Sequence, residues 1–222
     1  MKKLIFIVLS MLAFSGCAHL QDPTKQRNGN TVVSVSYPSA NFKVSSDFTF
    51  VGGAENYMDV VTEAHVTSSS KIDNTMFVYG AFSQGKAKKV AIVRFMRMQK
   101  PGWTFTRVPE WSSPGVIYGK VDTPIGEMES YSGFSQAGEF LSSLGLSGLI
   151  GDHKQCAASV ILRQIPQGMA RYKHRIEYVE LIDCDNTDQF YYGDKNLTRT
   201  GRLRLEMVVR NALNNVKIVS QD

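Results

Sequence analysis

The 222-residue chain carries 25 Lys and Arg against 20 Asp and Glu, a formal charge of +5. A surplus that small, without a clustered basic face, argues against nucleic-acid binding. With 43 % hydrophobic residues, the chain has the material for a real core in one domain.

Lys2 and Lys3 precede an apolar run from Leu4 to Phe14, interrupted by Ser10, and Ser15-Gly16 lead into Cys17. A run of about 11 residues is too short to span a bilayer, which takes ~20, and has the length of a signal-peptide core. No Ala-x-Ala site for ordinary secretory cleavage precedes Cys17. The pattern resembles a bacterial lipoprotein signal, with Phe14 where such signals usually carry an aliphatic residue. That resemblance, which covers the first 17 residues, implies cleavage before Cys17 and lipidation of the cysteine by a diacylglycerol. Two chains make a stable anchor where one is marginal, so the expected membrane partner is the bilayer itself, through lipid. Ala18 in place of Asp implies the outer membrane, facing the periplasm. The expected organisation is a signal peptide over 1–16, a lipidated cysteine and polar tether over 17–30, and one extracytoplasmic domain over 31–222.

From Thr31 the pattern turns strand-like. Val33, Val35 and Tyr37 alternate with polar residues until Pro38, and Phe42, Val44, Phe48 and Phe50 alternate up to Gly52-Gly53. Residues 55–67 fit either a helix or a strand. Met76 to Phe82 predicts a strand and Ser83 to Lys86 a turn. Val90 to Met98 is apolar on both faces apart from Arg94 and Arg97, as a central strand would be. Trp103 to Val108 and Val116 to Val121 add two strand candidates. Gln136 to Leu146 predicts a helix capped by Ser135, followed by a glycine-rich apolar stretch over 144–151.

Ala157 to Ile165 and Tyr172 to Ile182 read as strands. Cys156 and Cys184 remain once Cys17 is lipidated, and in an oxidising compartment an even pair predicts a disulfide. If the two cysteines oppose each other, Ala158 faces Ile182, Val160 faces Glu180 and Leu162 faces Tyr178. The competing reading is a metal site built from His153, Cys156, His174, Asp183 and Cys184, whose spacing matches no familiar zinc pattern. Residues 198–213 form the clearest helix, with Leu205, Val208, Val209, Ala212 and Leu213 on one face and Arg199, Arg202, Arg204 and Arg210 on the rest. Val216 to Val219 follows as an edge strand. The expected fold class is a single α+β domain, mainly antiparallel sheet with about two helices, one near the C-terminus.

No grouping for catalysis or for a cofactor emerges from the spacing. Gly133-Phe134-Ser135-Gln136-Ala137-Gly138 is one residue too long for a nucleophile elbow. His65, His153 and His174 are isolated from one another. Asp183 to Asp188 has alternating oxygen ligands, yet lacks the glycine and glutamate of a calcium loop. Glu127 with Glu129, and Glu177 with Glu180, are acid pairs whose separation decides any glycosidase chemistry. The reading reached is a membrane-anchored envelope lipoprotein with a non-enzymatic binding or assembly role. An envelope protein would dock on Trp111 or on Arg199, Arg202 and Arg204. The alternatives are an envelope hydrolase working through carboxylates or His174, and a small-ligand receptor with its pocket beneath residues 144–151.

Overall fold

The computed structural model describes residues 25–35, 39–61, 69–102, 104–105, 115–143, 146, 155–168, 170–192 and 196–219. Thirteen strands are placed in this described part. A four-stranded antiparallel sheet holds β1 (Lys25–Asn28), β2 (Thr31–Ser34), β3 (Ala40–Val44) and β13 (Val216–Val219), in that order. A seven-stranded antiparallel sheet runs β4 (Thr49–Val61), β5 (Ser69–Ser83), β6 (Lys86–Met98), β10 (Tyr172–Asp183), β9 (Gln155–Gln164), β8 (Gly126–Gln136) and β7 (Val116–Thr123). The short β11 (Tyr191–Tyr192) and β12 (Asn196–Leu197) pair with each other. Helix α1 (Ala137–Ser143) and helix α2 (Arg199–Asn215) complete the domain. The expected antiparallel sheet and late helix are present, but strand so dominates that the domain is largely β rather than α+β.

The large sheet is covered on both faces. On one face Phe77, Tyr79, Val93, Phe95, Val160, Leu162, Ile176 and Tyr178 pack against Val32, Phe42, Val44 and Phe48 of the small sheet and Leu205, Val208 and Ala212 of α2. On the other, Met76, Val78, Val90, Ile92, Ala157 and Val179 meet Ala137 and Leu141 of α1. Strand β6 is buried on both sides from Val90 to Met96, which is why its sequence lacks polar alternation. Helix α2 presents its apolar stripe inward from an N-cap at Thr198, whose Oγ1 accepts from the Gly201 N–H at 3.1 Å. The arrangement leaves no room at Gly201: an added Cβ would come within 2.4 Å of the Phe190 carbonyl oxygen. Gly201→Ala is therefore expected to destabilise the domain by about 1–3 kcal/mol, read as a lowered urea midpoint.

Three expectations change in detail. Residues 25–30, expected in the polar tether, fold into the β1–β2 hairpin, turning through Gly29 at φ +58°. Ser135, expected as a helix cap, is the penultimate residue of β8 opposite Ala157, and α1 begins at Ala137. The disulfide between Cys156 and Cys184 forms, with Cα atoms 4.9 Å apart, but the hairpin register is slipped by two residues. Cys156 lies opposite Ile182, Val160 opposite Tyr178 and Leu162 opposite Ile176. Cys184 sits beyond the strand end, where the chain enters a 3-10 turn, and reaches Cys156 diagonally. A slip of two preserves every inward or outward assignment, because side chains alternate with period two.

Candidate functional site

The arginines of α2 divide into two groups. Arg204 turns inward: its Nη2 donates to Glu180 Oε2 at 2.6 Å, with the Glu180 side chain 7 % exposed. Asn211 Nδ2 and the Tyr178 hydroxyl donate to Glu180 Oε1 at 2.8 and 3.1 Å, and Asn215 Nδ2 donates to the Tyr178 oxygen at 3.2 Å. Burial, then the neighbouring Glu180 charge, pushes the Tyr178 phenol above its ordinary pKa. This network fastens α2 to β10, so Arg204 is committed to the fold. Arg199, Arg202 and Arg210 face outward. Leu203 and Met207 lie among them, 49 % and 40 % exposed, with Glu206 the acid on that face. Helical spacing sets Arg199, Leu203 and Met207 in one stripe, and Arg202, Glu206 and Arg210 in the next. Cys17, the expected lipidation site, and Trp111, the expected aromatic contact, lie outside the described residues.

Other sequence candidates are dispersed. His174 is 3 % exposed in the core, edge-on to the Phe42 and Phe95 rings, with Nδ1 at 3.3 Å from Gln164 Oε1. Glu127 pairs with Lys120 and Glu129 with Arg163. Glu177 and Glu180, three apart on β10, project to opposite sides of the sheet, so they are no acid pair. Asp183 Oδ1 accepts from the Asp185 N–H at 3.1 Å, the turn geometry of an N-cap. Among the described residues no group of three or more His, Cys, Asp and Glu is placed to hold a metal ion. His153, part of the metal reading, and the glycine-rich stretch of the receptor reading lie outside them, apart from Leu146.

A second site was not visible in the sequence. Pairing sets Arg94 of β6 opposite Arg175 of β10, Arg175 opposite Arg163 of β9, and Arg163 opposite Glu129 of β8. Three arginines thus stand side by side on the face that also carries α1. Glu177 joins them, fully buried, with the Nε atoms of Arg94 and Arg175 each 2.8 Å from its Oε1. Neither Glu177 oxygen meets hydrogen-bond geometry, so the contact is Coulombic. Arg163 Nε donates to Glu129 Oε2 at 2.5 Å, and its guanidinium lies 5.1 Å from the Tyr131 ring. Lys173, one step along β10, sits 4.3 Å from the Phe105 ring centre. Burial, then Arg175 and Arg163, holds its amine down to about 8. Burial likewise lowers Arg94, against the pull of Glu177. Phe105 also lines an open groove of about 690 Å³ with Ile165, Pro166, Arg171 and Tyr172.

The signal for this row lay in charges set between apolar strand residues: Arg94 in β6, Arg163 in β9, and Arg175 among the several charges of β10. Their alignment needed the strand order, which places β6 beside β10. Comparison of the chain with protein-family models, curated proteins and solved structures finds no match.

Proposed function

We propose that the protein is a lipid-anchored binding module of the bacterial cell envelope, which docks an acidic face of an envelope protein on the outer side of α2. The observation that carries this reading is the composition of that side: Arg199, Arg202 and Arg210 around exposed Leu203 and Met207. Arginine ringed about apolar side chains is the residue mixture of interaction hot spots. The helix is also a rigid platform, because Arg204 and Asn211 fasten it to β10 through Glu180.

The anchor supports a restricted geometry. The sheet begins at Lys25, eight residues after Cys17, and an extended chain covers roughly 3.3–3.6 Å per residue. The first strand therefore lies within about 30 Å of the lipid, and any partner is met close to the membrane surface. No helix of the described residues is long and apolar enough to cross a membrane. Cys17→Ser is expected to move the protein from the membrane fraction to the soluble envelope fraction on cell fractionation. Persistence in the membrane would remove the anchor from this reading.

The docking test is photo-crosslinking in cells from a probe at Thr200, comparing the unaltered chain with Arg199→Glu/Arg202→Glu. Both arginines are exposed, so the double reversal leaves the core intact, checked by an unchanged unfolding midpoint. A single near-stoichiometric adduct that weakens about tenfold on reversal, the loss of roughly 1.4 kcal/mol, supports the reading. An adduct indifferent to the reversal, or none, refutes docking on this face.

A further inference from the structure

Directly opposed like charges destabilise a sheet, and charged side chains are seldom buried unless paired. On the α1 face of the large sheet, Arg94, Arg163, Lys173 and Arg175 are grouped with two carboxylates, Glu129 and Glu177. Within this cluster of six side chains the cations exceed the carboxylates by two; the exposed Lys120, Asp122 and Glu127 lie farther out on the same face, Lys120 paired with Glu127. Both carboxylates are already engaged: Glu177 by Arg94 and Arg175, Glu129 by Arg163 and the Tyr131 hydroxyl. The side chains of Arg94 and Arg163 are only 8 % and 12 % exposed, so bulk water screens the surplus weakly.

Donors are left over as well as charge. Arg163 Nη2 is buried and makes no hydrogen bond among the described residues, although a guanidinium has five N–H donors to place. Arg175 is the accessible member of the row, its side chain 28 % exposed. Guanidinium forks match the oxygen spacing of phosphate, and a lysine adds a point charge. The Phe105 ring, held by the Phe105 N–H donating to the Ala170 carbonyl at 2.6 Å, stands between Lys173 and the open groove lined by Ile165, Pro166 and Tyr172.

We propose that Arg163, Arg175 and Lys173 form a binding site for a phosphate group, on the sheet face opposite α2 and next to the Phe105 groove. The bound oxyanion supplies the two missing negative charges and accepts from the spare guanidinium donors. Arg94 and Glu177 act as the buried base of the site and set the position of Arg175. This site is independent of docking on α2, which lies across the sheet.

The test uses the purified full-length protein in detergent. Its unfolding midpoint is followed while inorganic phosphate is titrated, with potassium chloride at matched ionic strength as the reference, and glycerol 3-phosphate as a stand-in for a lipid headgroup. A saturable rise with phosphate beyond that with chloride is expected, because a ligand that binds the native state alone stabilises it. Equal half-saturation by both probes identifies the phosphate group itself as the ligand chemistry, and markedly tighter half-saturation by glycerol 3-phosphate identifies a headgroup source. Arg175→Gln is expected to weaken half-saturation by about tenfold or more, the loss of a charge-assisted hydrogen bond. In the unaltered protein, phosphate should also raise the Lys173 amine above about 8, measured by the pH dependence of its acylation. That readout decides the matter should the arginine variant fold poorly. A midpoint that responds equally to chloride, or a Lys173 titration indifferent to phosphate, overturns the proposal.

Discussion

Glu177→Ala is expected to cost the folded state about 3–5 kcal/mol, the range for removing one partner from a buried ion pair. The carboxylate is fully enclosed and lies 2.8 Å from two guanidinium nitrogens. Without it, Arg94 faces Arg175 across the β6–β10 pairing with no charge between them. Buried guanidinium groups cannot shed a proton to escape, so the strain falls on the fold. Urea unfolding checks this, with Glu127→Ala as the control. The Glu127–Lys120 pair is 44 % and 46 % exposed, and such pairs contribute less than about 1 kcal/mol. Glu177→Leu combined with Arg94→Met should recover part of the loss, because it removes the more buried of the two guanidinium groups left unpaired, while Arg175, 28 % exposed, retains some contact with water. A loss near that of the control would mean that the guanidinium charges are balanced from elsewhere.

The second large effect is expected from the disulfide. Replacing Cys156 and Cys184 with alanine should lower stability by about 3–4 kcal/mol, because the bridge restricts a 28-residue separation in the unfolded chain. The same difference should appear between oxidised and reduced forms of the unaltered protein in denaturant titrations. The bridge joins the start of β9 to the turn after β10, and the 3-10 turns beyond it carry the chain to Phe190, whose carbonyl accepts from Thr198 at the start of α2. Its loss should therefore loosen the α2 N-terminus first, seen as faster amide exchange at Gly201 and Arg202. Equal stability with and without the bridge would overturn this expectation, since any restriction of the unfolded chain would then be fully offset.

These features were unequally legible in the sequence. Alternation and apolar runs were enough for β6, β9, β10 and β13, and the cysteine pair and the apolar stripe of α2 were read as they stand. Strand β1 escaped because Lys25–Asn28 is wholly polar. It earns its place by pairing with β2 and by the Arg27 guanidinium lying 4.0 Å from the Phe50 ring, neither of which is a local property. The two-residue slip of β9 against β10 had no sequence signature either, since both registers keep the same faces buried. Among the α2 arginines, helical periodicity placed all four off the apolar stripe. It did not separate Arg204 from Arg202, because that distinction depends on Glu180, 24 positions earlier. The arginine row was hidden for the same reason: its members come from β6, β9 and β10, and only the sheet order makes them neighbours.

One further consequence comes from the pairing of β3 with β13, in which Val44 lies opposite Val216. The small sheet cannot be completed, nor one face of the large sheet covered, until the last strand has been delivered. Contacts between such distant positions slow folding, since the loop entropy must be met before any contact offsets it. Without residues 199–219, Phe42, Val44, Tyr178 and Leu162 would lose part of their cover from Leu205, Val208, Ala212 and Val216. The core is thus shared between the earliest and the last of the described strands, and its closing contacts are expected late in folding rather than early.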